Sequence, residues 1–98
     1  MSAFFIFENI KVLNQEAIDR HRAEVTSLVE QYSGKYIVVA GKIEAYEGEW
    51  KPKELIIIEF PSFERAQEFY DSEDYRELKE LRLANSEGNG ILVDGVNW

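Results

Sequence analysis

The chain has 98 residues, a net charge of −8 and no cysteine; 45% of it is hydrophobic and 31% charged. That size predicts one domain spanning residues 1–98, and a small domain of this kind commonly gains stability by association. The missing cysteine excludes disulfides, thiol catalysis and cysteine-ligated metals and fits a cytoplasmic protein, while the acidic balance argues against nucleic acid and anionic membrane partners.

No apolar run approaches the ~18 residues of a membrane-spanning helix. The opening "MSAFFIFENIKV" lacks a basic segment and a small-residue cleavage site, so it reads as a strand rather than a signal peptide. Within it, "AFFIFENIKV" (Ala3–Val12) is rich in the aromatic and β-branched residues of strands. Asn14 then offers a helix N-cap with Glu16 in the first turn. Ile18, His21 or Arg22, Val25, Leu28, Val29 and Tyr32 follow at helical spacing. Ser33-Gly34 ends that helix, and Gly34 is the residue expected in the left-handed C′ position.

"KYIVVAG" (Lys35–Gly41) predicts a second strand with a bulge at Gly41, extended onward through Lys42–Gly48. "EGEWKPKE" is a turn, and "LIIIEF" (Leu55–Phe60) is the clearest strand of all. Pro61 stops it and Ser62 caps a helix whose stripe is Phe63, Ala66, Phe69 and Tyr70. Asp71-Ser72 breaks that helix, and Ser72 caps another from Glu73 to Ala84. "NSEGNG" reads as a loop before a last strand, "ILVDGV" (Ile91–Val96). The order β-α-β-β-α-β, with the second helix split, is the α+β ferredoxin-like plan, an antiparallel sheet with its helices on one face.

A sheet with one bare face should alternate apolar and polar residues. Here Phe4 and Ile6 alternate with Phe5 and Phe7, and Ile56 and Ile58 with Leu55 and Ile57, so both faces are apolar. Monomers seldom expose so large a patch. The sheet face is therefore expected to pack on that of a second copy, giving a homodimer.

Few residues stand out chemically. His21, the lone histidine, lies on the apolar face of the first helix, either as a core-edge residue bonded to a neighbour or as a proton-transfer group in a pocket. One histidine without cysteine predicts no protein-only zinc site. Arg82 shares a stripe with Tyr75 and Leu78, either reaching solvent or a carboxylate, or anchoring an anionic ligand. Glu59 lies on the face of Leu55 and Ile57, either paired with a structural partner or acting as a general base; Asp94 holds a comparable place in the last strand, as an edge carboxylate capping a turn or a ligand contact. Trp50 either seals a core or dimer seam or roofs a pocket, and Tyr70 and Tyr75 flank the helix break with hydroxyls available to a cavity. "GNG" precedes a strand rather than following one, unlike phosphate loops.

The run "GKYIVVAGKIEAYEGEWKPKELIIIEFPSFERAQEFYDSEDYRELKELR", followed by "ILVDGV", resembles the small bacterial family catalogued as domain of unknown function 1330. The likeness spans nearly the whole chain. It rests on Gly34, Gly41, Gly48, Trp50, Pro52, Glu59, Phe60, Pro61, Ser62, Ala66, Phe69, Tyr70, Ser72, Tyr75, Arg82 and Asp94. It implies a dimeric α+β barrel, a superfamily whose members include cofactor-independent monooxygenases, isomerases, small-molecule lyases and haem-handling proteins. The chain departs from the family in carrying His21 where an aromatic is common and Val39 where arginine is.

The expectation is a dimeric protein that binds a small organic molecule between sheet and helices, as a cofactor-independent isomerase- or monooxygenase-like enzyme or, alternatively, as a non-catalytic binding module. His21 and Arg82 are the expected catalytic groups. Trp50, Glu59, Tyr70, Tyr75 and Asp94 are the expected ligand contacts. No metal and no cofactor are expected.

Overall fold

The structure, a computed structural model, describes residues 1–96. Four strands, β1 (Ala3–Val12), β2 (Lys35–Val39), β3 (Leu55–Phe60) and β4 (Ser86–Asp94), form one antiparallel sheet in the order β2-β3-β1-β4. Helices α1 (Gln15–Gln31), α2 (Phe63–Asp71) and α3 (Glu73–Asn85) fill the connections of an α+β ferredoxin-like fold whose second helix is split.

The caps stand where the sequence puts them. Asn14 Oδ1 accepts from the Ala17 amide, Ser62 Oγ from Arg65 and Ser72 Oγ from Tyr75, each satisfying an amide the helix itself leaves free. Ser72 also closes α2, its hydroxyl donating to the Phe69 carbonyl at 2.7 Å. No basic residue stands in the last turn of α1; Arg65 of α2 donates to the Gln31 carbonyl there instead and lies over the Tyr32 ring.

Phe5 and Phe7 of β1 and Ile56, Ile58 and Phe60 of β3 face the helices, meeting Val25 and Val29 of α1 and Ala66 and Phe69 of α2. Aromatic rings run through this core: Phe60 stacks on Phe69 at 5.4 Å and Phe69 on Tyr75 at 4.6 Å. Phe60, Phe69 and Val29 are fully buried, each stabilising the fold by about 1.5–3 kcal/mol.

Three details differ from the sequence reading. The left-handed residue after α1 is Ser33 (φ 67°), not Gly34. Gly34 is required for space: a Cβ there would stand 2.6 Å from Val29 Cγ1 and 2.7 Å from Phe60 Cε1. The second strand stops at Val39, because Ala40 takes a positive φ of 49° that turns the chain off the sheet. Its bulge falls between Tyr36 and Val38 rather than at Gly41, and Lys42–Gly48 joins no strand.

Most of the expected loop "NSEGNG" is strand. β4 begins at Ser86, directly after α3, and pairs along nearly the whole of β1, with Gly88 opposite Asn9 and Gly90 opposite Phe7. Glycine is a poor strand former, yet only glycine fits: a Cβ on Gly88 would lie 2.1 Å from the Glu8 carbonyl oxygen, and one on Gly90 2.8 Å from the Phe7 ring.

The sheet's other face carries Phe4, Ile6, Leu55, Ile57, Ile91 and Val93. Among the described residues no helix covers it, and Ile91 (58%) and Val93 (42%) remain exposed.

Candidate functional site

Between α1, α3 and the sheet lies a cavity of about 340 Å³. Its walls are mainly apolar: Phe7 and Val12 of β1, Ile56 and Ile58 of β3, Ile18 and Val25 of α1, and Phe69. Polar groups enter from a few positions: His21 and Arg22 from α1, Tyr36 from β2, and Tyr75 and Arg82 from α3. A mostly apolar chamber with a few convergent polar groups is the usual form of a small-molecule site.

His21, Tyr75 and Arg82 form a chain. Tyr75 Oη stands 3.0 Å from His21 Nε2, Arg82 Nε donates to Tyr75 Oη at 3.3 Å, and Arg82 Nη2 donates to Tyr70 Oη at 3.4 Å. Arginine only donates, so one lone pair of Tyr75 is taken by Arg82. The hydroxyl hydrogen finds its acceptor in His21 Nε2, which places the imidazole proton on Nδ1. Nδ1 has no hydrogen-bond partner among the described residues.

The electrostatics keep the histidine neutral. Burial, reinforced by the charges of Arg82 and Arg22, holds His21 down at about 4. Burial also raises Tyr75 above the usual phenol range, against the opposing charge and hydrogen bond of Arg82, and pushes Tyr36 up to about 12.

Arg82 lies with its guanidinium 5.1 Å above the Phe7 ring and pairs with no carboxylate among the described residues. Arg22 differs: it is paired with Glu54, which also accepts from Asn9 Nδ2 at 2.6 Å. That pairing ties α1 to the start of β3 beside the cavity.

The other expected ligand contacts are elsewhere. Tyr70 touches Arg82 but lines a separate compartment. Glu59 lies opposite Phe4 on the uncovered face and accepts from Ser2 Oγ at 2.7 Å. Trp50 is 62% exposed and donates to Glu8 Oε2 at 2.9 Å. Asp94 is exposed at the end of β4, opposite Ala3. Glu59 misses the cavity because the helices cover the opposite face of the sheet, Trp50 because it is held at the surface against Glu8, and Asp94 because it stands at the end of β4 opposite Ala3, whereas the cavity is lined by Ser86 at the other end.

Tyr36, Asn9, Arg22, Thr26 and Ser86 line the cavity without having been singled out. Strand alternation carried a signal for Tyr36, and Arg22 stood beside His21 on the helical stripe. Among the described residues no helix is long and apolar enough to cross a membrane, and no three His, Cys, Asp or Glu side chains group as a metal site.

The sequence profile of the family described as Domain of unknown function (DUF1330) matches residues 2–96. Among curated proteins no sequence match is found. Solved structures share the fold. A protein of unknown function from Rhodopseudomonas palustris is 15% identical with a TM-score of 0.75, the match covering 98% of this chain and 83% of that one. SnoaB, a cofactor-independent oxygenase from Streptomyces nogalater, is 8% identical with a TM-score of 0.70, covering 99% and 95%. An EthD-family protein from Bacillus halodurans is 13% identical with a TM-score of 0.61, covering 98% and 100%. These neighbours are of the dimeric α+β barrel type, and at such identities they speak for the fold.

Proposed function

The chain belongs to the DUF1330 family, and on that footing we propose that it is a homodimeric, one-domain enzyme acting on a small organic molecule held between sheet and helices. The observation that carries this reading is the neutral imidazole of His21 at the wall of an apolar cavity, joined through Tyr75 to a guanidinium that pairs with no carboxylate among the described residues.

The chemistry follows from the donors. His21 Nδ1–H donates to a carbonyl, enol or phenol oxygen of the ligand, and the Arg82 charge favours that oxygen as an anion. Low polarity around the site strengthens both effects. Tyr75 donates to Nε2 and so holds the imidazole proton on Nδ1, where His21 gives its hydrogen bond to the ligand oxygen as a neutral ring. Stabilising an enolate or phenolate is a step shared by isomerisation and by cofactor-independent oxygenation, the activity stated for the Streptomyces nogalater protein. The second copy would dock on the uncovered apolar face, where Ile91 and Val93 stand exposed.

The test uses 1-naphthol, an apolar phenol. Wild-type protein should bind it and lower the pH at which the bound phenol ionises, followed by ultraviolet absorbance. The shift should shrink in His21→Gln. Failure of 1-naphthol and of related small ketones to bind, or an unshifted ionisation, overturns the reading.

A further inference from the structure

Arg82 borders two cavities. Besides the inner chamber, a compartment of about 470 Å³ lies along α3 and β4, and Phe7, Asn9, Arg82 and Ser86 belong to both walls. Gly88 and Gly90 of β4 line the outer space with bare backbone, packed closely on Glu8 and Phe7 of β1. The Arg82 guanidinium, set over the Phe7 ring, is the charged part of the partition between them.

How the two tyrosines hold that group decides what it can bind. A guanidinium has five N–H donors. One on Nε is taken by Tyr75 and one on Nη2 by Tyr70, leaving three. Nη1 has no hydrogen-bond partner among the described residues, so its hydrogens and the second one on Nη2 stay available as a pair. That pair matches the two oxygens of a carboxylate. Glu8 and Glu87 on the outer compartment's wall repel an anion there, and Arg22 is already engaged with Glu54. A ligand carboxylate is thereby directed to Arg82, with its apolar body in the inner chamber.

We infer that the ligand is an apolar monocarboxylic acid, its carboxylate gripped by the Nη1 and Nη2 hydrogens of Arg82 at the partition between the two cavities. The inference rests on the small-molecule reading of the inner chamber and adds the ligand's charged group.

The probes are 4-phenylbutyrate and its neutral counterpart 4-phenylbutanamide, titrated by NMR. Wild-type protein should bind the acid at least about tenfold more tightly than the amide. Arg82→Gln should abolish that preference, and Arg82→Lys should not restore it, because an ammonium lacks the paired donors. Tyr70→Phe, which frees the guanidinium on one side, should weaken acid binding by a smaller factor. Equal affinity for acid and amide, or a preference that survives Arg82→Gln in a folded variant, overturns the inference. If 1-naphthol binds while the acid preference is absent, the pocket stands and only the carboxylate assignment falls; if neither the phenol nor the acid binds, both fall.

Discussion

The hydroxyl of Tyr75 stands 3.0 Å from Nε2 of His21, with Tyr75 only 3% and His21 only 9% exposed. Each is the other's means of being buried. Tyr75→Phe removes that bond and the Arg82 contact while keeping the ring on Phe69. It should cost about 1–3 kcal/mol, the usual penalty for orphaning a buried polar group. Urea unfolding measures it, and the double variant with His21→Phe should cost less than the two single changes summed.

Acidification should weaken the fold through His21. The imidazole is held at about 4 in the folded protein, against an ordinary value of 6.5. The unfolded chain therefore takes up its proton first. The contribution is intact above pH 6.5 and is lost as the pH falls toward 4, reaching about 2 kcal/mol once screening at the cavity mouth is allowed for. Thermal melts of wild type and His21→Gln across this range should converge as the pH falls.

The corner after α1 makes two opposite predictions one residue apart. Ser33→Gly relieves a positive φ of 67° and should stabilise by up to about 1 kcal/mol. Gly34→Ala drives a methyl into Val29 and Phe60 and should destabilise by about 1–3 kcal/mol. Paired denaturant curves test both.

The uncovered sheet face should fail as an interface when charged. Ile91→Asp places a carboxylate on an exposed strand position with little cost to the protomer. Sedimentation at micromolar concentration should give a dimer for wild type and a monomer for the variant. A wild-type monomer sinks the proposed assembly.

Local signals carried most of the fold. Ser62 and Ser72 were legible as caps because a serine before an apolar helical stripe has a definite bond to make. β4 was half hidden, since Gly88 and Gly90 read as turn residues and are strand only because β1 is long enough to pair with them. For the cavity, helical spacing put His21 and Arg82 each on an apolar stripe. Glu59 was placed on the correct face with Leu55 and Ile57, but a sheet apolar on both sides offers no sign of which side the helices cover. Trp50 depended on the path of residues 40–54, which has no periodicity to read.

The break at Ser72 has a geometrical consequence. Tyr70 and Tyr75 are five residues apart, and on an uninterrupted helix they would point about 140° away from each other. The interruption resets the angular phase, and both hydroxyls converge on the one guanidinium of Arg82. The aim of the site is thus set by the count of residues through one serine. A single insertion there would swing α3 by about 100° and scatter the convergence without altering any of the side chains that make it.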